Sequence, residues 1–166
     1  MIYAIVHADK EWGIGKNNDM MFSLPKDMKF FRETTMGHTV VMGGKTLRSF
    51  PNQKPLKNRV NIVLSRGQVC DECVFVRDFD ELKTELKKRE NEEIYIIGGG
   101  VIYREMLPYC HKALVTKVDA VGGAEVFFPN LDENPNFKCV DEGEPIDDNG
   151  HTIRFTTYEN LAVKSL

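Results

Sequence analysis

No stretch of this 166-residue chain stays apolar for the length of a membrane span, so a transmembrane helix is excluded. Neither charge dominates. The 22 Lys and Arg against 25 Asp and Glu leave −3 at pH 7, too little basic field to hold nucleic acid or an anionic membrane. Repeats, low-complexity tracts and linker-like segments are missing, so residues 1–166 are expected to form a single domain. The apolar run 2–8 near the start lacks a basic flank; no signal peptide is expected, and the location read from this is cytoplasmic. Cysteine is scarce. In an unexported chain Cys70, Cys73, Cys110 and Cys139 are expected to be free thiols rather than a disulfide framework. Cys70 and Cys73 have the C-x-x-C spacing of redox and zinc sites, but Asp71 and Glu72 between them raise thiol pKa. No second pair completes a zinc tetrad. The histidines His7, His38, His111 and His151 show no H-E-x-x-H spacing, so no metal site is expected.

What the chain does have is a hydrophobic fraction of 42%, enough for a core without staples, arranged in alternating periods. Residues 2–8, 39–42, 60–64, 94–97 and 113–118 are short β-branched runs bounded by Gly, Asp or Ser, the pattern of strands. Runs as continuously apolar as Ile94-Tyr95-Ile96-Ile97 suit central parallel strands covered on both faces. Between them lie helical patterns. Asp78 with Glu81 makes a capping-box-like start, Phe79, Leu82 and Leu86 make a stripe, and Lys87 to Arg89 close the last turn. Residues 138–141 and 151–159 read as an antiparallel hairpin. The expected architecture is α/β, a mostly parallel sheet with an antiparallel C-terminal hairpin edge and helices on both faces.

Five segments carry chemistry. In Ser23-Leu24-Pro25-Lys26-Asp27, Pro25 fits the first helical position. Leu24, Asp27, Met28 and Phe31 then share one helix face, so a carboxylate interrupts an apolar stripe. Two readings stand. Asp27 complements the macrodipole of the first turn, or it faces the core and binds a cationic or amidine-like ligand edge. Ile97-Gly98-Gly99-Gly100-Val101-Ile102-Tyr103 runs from a strand through three glycines into a helix, a backbone that can approach a phosphate closely. It lacks the G-x-G-x-x-G order, and a tight strand-to-helix turn is the plainer reading. Met42-Gly43-Gly44-Lys45-Thr46 ends like a P-loop, but Thr39 stands where that motif needs its first glycine. A phosphate contact from Lys45 remains open to it. Ser65-Arg66 follows a strand, where open α/β sheets place ligands, and Arg59 offers a guanidinium for a carboxylate or for a surface ion pair. Residues 9–24 form a long aperiodic stretch, the usual form of a functional loop.

In order along the chain stand W-G-I-G, L-P-x-D-M-x-F-F, V-M-G-x-x-T, P-L-x-x-R-x-N-I-V-L-S, I-I-G-G-G-x-x-Y and F-F-P. Six such motifs in register resemble bacterial dihydrofolate reductase over nearly the whole chain. The resemblance implies NADPH-dependent reduction of 7,8-dihydrofolate to tetrahydrofolate, by a monomer built on an eight-stranded sheet. It implies that Asp27 binds the pterin 2-amino group and N3, as the one catalytic side chain. Ile5, Met28, Phe31, Leu56, Ile97 and Thr116 would surround the pterin and benzoyl rings, with Arg59 on the glutamate carboxylate. Toward the cofactor it places His7, Ile14, Gly15 and Met20, then Gly43, Gly44, Lys45 and Thr46, then Leu64, Ser65 and Arg66, and Gly98, Gly99, Gly100, Val101, Ile102 and Tyr103. Gly98-Gly99 is expected as a cis peptide. Three positions depart from the common pattern. Gly44 stands where an arginine usually meets the 2′-phosphate, Met21-Phe22 where Pro-Trp is usual, and His7 where the first strand carries a small residue. A P-loop-like phosphotransferase and a non-catalytic nucleotide-binding domain are the rival readings; only reductase activity would oxidise NADPH when dihydrofolate is added.

Overall fold

The computed structural model describes residues 1–17, 19–67 and 71–166. Strand β1 (Ile2–Ala8) is followed by the short β2 (Gly13–Gly15), helix α1 (Pro25–Thr35), β3 (Thr39–Gly43) and α2 (Gly44–Ser49). Then come β4 (Val60–Leu64), β5 (Val74–Val76), α3 (Phe79–Lys87), β6 (Ile94–Gly98) and α4 (Gly100–Met106). The chain ends with β7 (Lys112–Val118), β8 (Val126–Phe127), β9 (Phe137–Glu142), β10 (Ile146–Asp148) and β11 (His151–Asn160).

The main sheet runs β10-β11-β7-β1-β6-β3-β4-β5, with β9 also on β11. Pairs from β5 to β7 are parallel, and β11 enters antiparallel to β7. Among the described residues this makes nine strands where eight were expected. The difference lies at the edge. β9 pairs with residues 156–160 of β11 and β10 with residues 151–153, so the two lie end to end along one partner. Pro145, which cannot donate to a ladder, separates them. β2 and β8 form a second, two-stranded sheet that breaks the stretch expected to be aperiodic.

Strand alternation divides the core. Val41 and Ile96 point to the face packed by Leu82 and Leu86 of α3 and Ile102 and Met106 of α4. Val40, Met42 and Tyr95 point to the other face, against Leu47 of α2 and Phe30 and Phe31 of α1. Helices therefore cover both faces, as expected. The α3 start forms as its sequence requires: Asp78 accepts the Glu81 N–H at 2.8 Å, and Glu81 accepts the Arg77 N–H at 2.8 Å. One cysteine expectation needs correction. Cys73 is disulfide-bonded, whereas Cys110 is free and buried and Cys139 is free and exposed; Cys70 lies outside the described residues.

Candidate active site

Helix α1 starts at Leu24 and Pro25, and neither can cap it with a side chain. The cap comes from far along the chain. Asp148 of β10, 1% exposed, accepts the Lys26 N–H through Oδ1 and the Asp27 N–H through Oδ2, each at 3.0 Å. Asn149 donates to the Ser23 carbonyl at 2.9 Å, and the Lys26 ammonium donates to the Asp147 carbonyl. The β10–β11 turn thus holds the first turn of α1 in place. With Asp148 already answering the macrodipole, the Asp27 carboxylate is released for other work.

That carboxylate turns inward and is buried. His7 and Thr116 are register partners across β1 and β7, so both reach the same face of the sheet. The Thr116 hydroxyl donates to Asp27 Oδ1 at 2.7 Å, and His7 Nδ1 lies 3.1 Å from Oδ2. A carboxylate can only accept, so the imidazole carries its hydrogen on Nδ1 when Asp27 is ionised. His7 Nε2 is buried and has no hydrogen-bond partner among the described residues. Tyr103 donates to the Ile5 carbonyl at 2.7 Å; burial, then the charge of Asp27, hold its phenol above the usual range.

An apolar wall adjoins the acid. Ile5 is buried, and Phe31, Leu56 and Ile97 are half-buried against the same cluster. Met28 is 43% exposed, so the stripe expected on α1 opens to solvent at that point instead of closing into the core. Asn61, 3% exposed, fixes the loop that carries Leu56 and Arg59. It accepts the Leu56 N–H at 3.0 Å and donates to the carbonyls of Leu56 and Arg59 at 2.9 and 3.0 Å. Arg59 donates to the Thr35 hydroxyl at 3.0 Å and the Lys57 carbonyl at 2.9 Å. It makes no ion pair among the described residues. Burial, then neighbouring Arg32, lower its pKa, and an anion there would relieve the second cost.

The glycine segments meet at the carboxyl ends of β3, β4 and β6, which are parallel and end together. Gly98 has φ +124°, a conformation side chains rarely adopt, and a Cβ there would lie 3.4 Å from the Tyr103 ring. The Gly98-Gly99 peptide is cis, as expected. Neither α2 nor α4 has a side-chain cap. Thr39 is the buried first residue of β3, so Gly44-Lys45-Thr46 follows a strand and not the long glycine loop of a phosphotransferase. A Cβ on Gly44 would lie 3.1 Å from Ser65 Oγ and 3.2 Å from Arg48 Nη1. A guanidinium therefore occupies the space beside Gly44, brought by a residue one helical turn later. Sequence reading missed Arg48, although positions 44 and 48 share a helix face. Lys45 and Arg66 are exposed nearby in sequence. Ile14 and Gly15 lie in β2, where the Gly15 carbonyl accepts the Glu125 N–H at 2.8 Å, and Met20 is 52% exposed. Phe22 packs against His151, with ring centroids 4.9 Å apart.

A family model described as dihydrofolate reductase matches residues 1–160. The chain belongs to the dihydrofolate reductase family. It is 32% identical to the dihydrofolate reductase of Bacillus subtilis (strain 168), over 96% of this chain and 94% of that protein. It is 33% identical to that of Staphylococcus haemolyticus, over 96% of each, and 39% identical to that of Haemophilus influenzae, over 71% and 72%. Membership carries the activity: the chain is an enzyme that reduces dihydrofolate with a nicotinamide cofactor. Among the described residues no helix is long and apolar enough to cross a membrane.

Proposed function

We propose that this enzyme reduces 7,8-dihydrofolate to 5,6,7,8-tetrahydrofolate with NADPH, as a monomeric single-domain cytoplasmic protein, with Asp27 as its catalytic carboxylate. The observation that carries the reading is a buried carboxylate whose helix is already capped by Asp148. Such a charge needs a cationic or amidine-like partner, and the pterin 2-amino group with N3 is one.

The residues present fit the cofactor. Gly98 holds a positive φ that side chains rarely adopt, and Ser65 Oγ and Arg48 Nη1 both lie within 3.2 Å of where a Gly44 Cβ would stand, a hydroxyl and a guanidinium together at a place suited to a phosphate monoester. Gly43, Gly44, Lys45, Thr46, Leu64, Ser65, Arg66 and Gly98 to Tyr103 would hold it, with Ile14, Gly15 and Met20 on the loop side. When bound, NADPH supplies the hydride that pterin C6 receives. The chain does the rest. Asp27 orients the pterin through its two oxygens, each already steadied by a protein donor. Its negative charge raises the basicity of N5, which takes its proton from water because Asp27 sits at the opposite edge of the ring. Ile5, Phe31, Leu56 and Ile97 exclude water from the reacting rings. Arg59 meets the glutamate carboxylate.

NADPH oxidation that requires added dihydrofolate tests the reading; oxidation that is absent, or indifferent to dihydrofolate, contradicts it. A charge-assisted contact to the 2′-phosphate contributes about 1.5–3 kcal/mol, so kcat/KM with NADPH should exceed that with NADH by at least about tenfold. Arg48→Ala and Arg66→Ala should each narrow the gap. Equal use of both cofactors by the wild type would refute the phosphate assignment. Arg59→Lys, which loses the planar fork, should raise KM for dihydrofolate about tenfold and leave cofactor affinity nearly unchanged. Equal weakening of both ligands would show that Arg59 has been misplaced.

A further inference from the structure

The sheet has a second face behind Asp27. His7 and Thr116 point to the acid, so their neighbours Ala8 on β1 and Val115 and Lys117 on β7 point the other way. A cavity of about 350 Å³ opens on that side, a volume in the range of small-molecule sites. Ala8, Val115 and Trp12, all buried, give it an apolar wall. Two rings hold the indole: it stacks on Phe128 with centroids 6.2 Å apart and meets Tyr158 edge-on at 6.0 Å. Its backbone is held too. The Trp12 N–H donates to the Asp9 carbonyl at 3.0 Å, and the Trp12 carbonyl accepts the Phe128 N–H at 2.8 Å. A surface fixed before any ligand arrives costs little ordering on binding.

The charges around the cavity are unevenly matched. Its acids are taken. Asp9 accepts the N–H groups of Glu11, Gly13 and Gly122 at 2.9, 2.8 and 2.9 Å. Asp119 pairs with Lys10 at 2.8 Å, and Asp132 accepts the Tyr158 hydroxyl at 2.6 Å. Two cations are held loosely. Lys117 and Arg154 stand directly opposite each other on β7 and β11, an arrangement that like charges disfavour. Among the described residues their nearest acidic partners are Asp132 Oδ2, 3.6 Å from the lysine, and Glu142 Oε1, 3.9 Å from the arginine. Exposed pairs of that length contribute little. A carboxylate between the two cations meets both, and the planar fork of Arg154 matches its two oxygens. We propose that this cavity is a second binding site, for a small aromatic carboxylate whose acid group lies between Lys117 and Arg154 and whose ring rests on the Trp12 indole. It is separate from the site at Asp27, because the sheet stands between them.

Trp12 is the only tryptophan of the chain, so its indole N–H gives a single NMR signal from the cavity wall. Titration with naphthalene-2-carboxylate should move that signal to saturation. The neutral naphthalene-2-carboxamide should bind at least about tenfold more weakly, the usual gap between a charge-assisted contact and a neutral one. Arg154→Gln should weaken the carboxylate about tenfold and leave the carboxamide unchanged. Lys117→Gln should do the same. Lys117 also lies over the rings of Trp12 and Tyr158, so Arg154→Gln, at a half-exposed side chain, keeps the test open if the lysine variant does not fold. Repeated with NADP+ and folate bound, the titration should give the same shift. A shift that never saturates, equal binding of acid and amide, or an Arg154→Gln titration that matches the wild type would overturn the proposal. So would a shift abolished by folate, which would put the probe on the Asp27 face of the sheet.

Discussion

Asp27→Asn should lower kcat/KM for dihydrofolate at neutral pH by about 10²–10³-fold, the usual loss when one preorganised charge is removed from a reacting centre. The fold should tolerate the change. The amide oxygen still accepts from Thr116, and the His7 ring can shift its hydrogen to Nε2 and accept from the amide nitrogen through Nδ1. Thermal unfolding should therefore match or exceed that of the wild type, since a buried charge has gone. What activity remains should rise as pH falls, because more substrate arrives already protonated at N5. Unfolding curves with pH profiles of kcat/KM from about pH 5 to 9 check both parts. Near-wild-type turnover of the amide variant at neutral pH would refute the assignment. Marked destabilisation would mean that the charge serves the helix instead.

The opposite pattern is expected at Asp148. Its carboxylate accepts two backbone N–H groups at the start of α1, of which the Asp27 N–H is buried, so Asp148→Ala removes this side-chain cap and takes from both donors the partner they have. Loss of a cap costs up to about 2 kcal/mol, and leaving the one buried donor unpaired brings the total toward the upper end of a buried polar group's cost, so a loss of about 2–3 kcal/mol is expected. At this chain length that lowers Tm by roughly 5–12 °C. Turnover should fall as well, by a smaller factor than in Asp27→Asn, because the helix that aims Asp27 is loosened. Binding of dihydrofolate should restore part of the lost stability. An unchanged Tm in calorimetry would show that α1 does not depend on this cap.

The contrast between these two acids explains how far the sequence could be read. Long β-branched runs announced β1, β3, β4, β6 and β7, because five to seven residues show a period. β2, β5, β8 and β10 have two or three residues each and show none, so they stayed hidden. Asp27 was visible as a carboxylate inside an apolar stripe, yet spacing alone could not choose between core and macrodipole. Asp148, 121 residues later, decides the matter, and no local pattern connects the two. His7 and Thr116 meet at Asp27 only because β1 and β7 pair in one particular register. Asn61 and Arg48 were missed for a related reason. A buried amide that ties one loop, and a guanidinium folded back over a glycine, are ordinary residues until the backbone is placed.

The claim that everything else depends on is the contact between Asp27 and the amidine edge of the pterin. It can be observed directly with dihydrofolate labelled with nitrogen-15 at N3 and at the 2-amino group, bound to the wild type and to Asp27→Asn. Both labelled nitrogens should shift on binding to the wild type, their protons should be protected from exchange with water, and both effects should be lost together in the amide variant. Identical spectra of the ligand on the two proteins would contradict the placement of the pterin on Asp27.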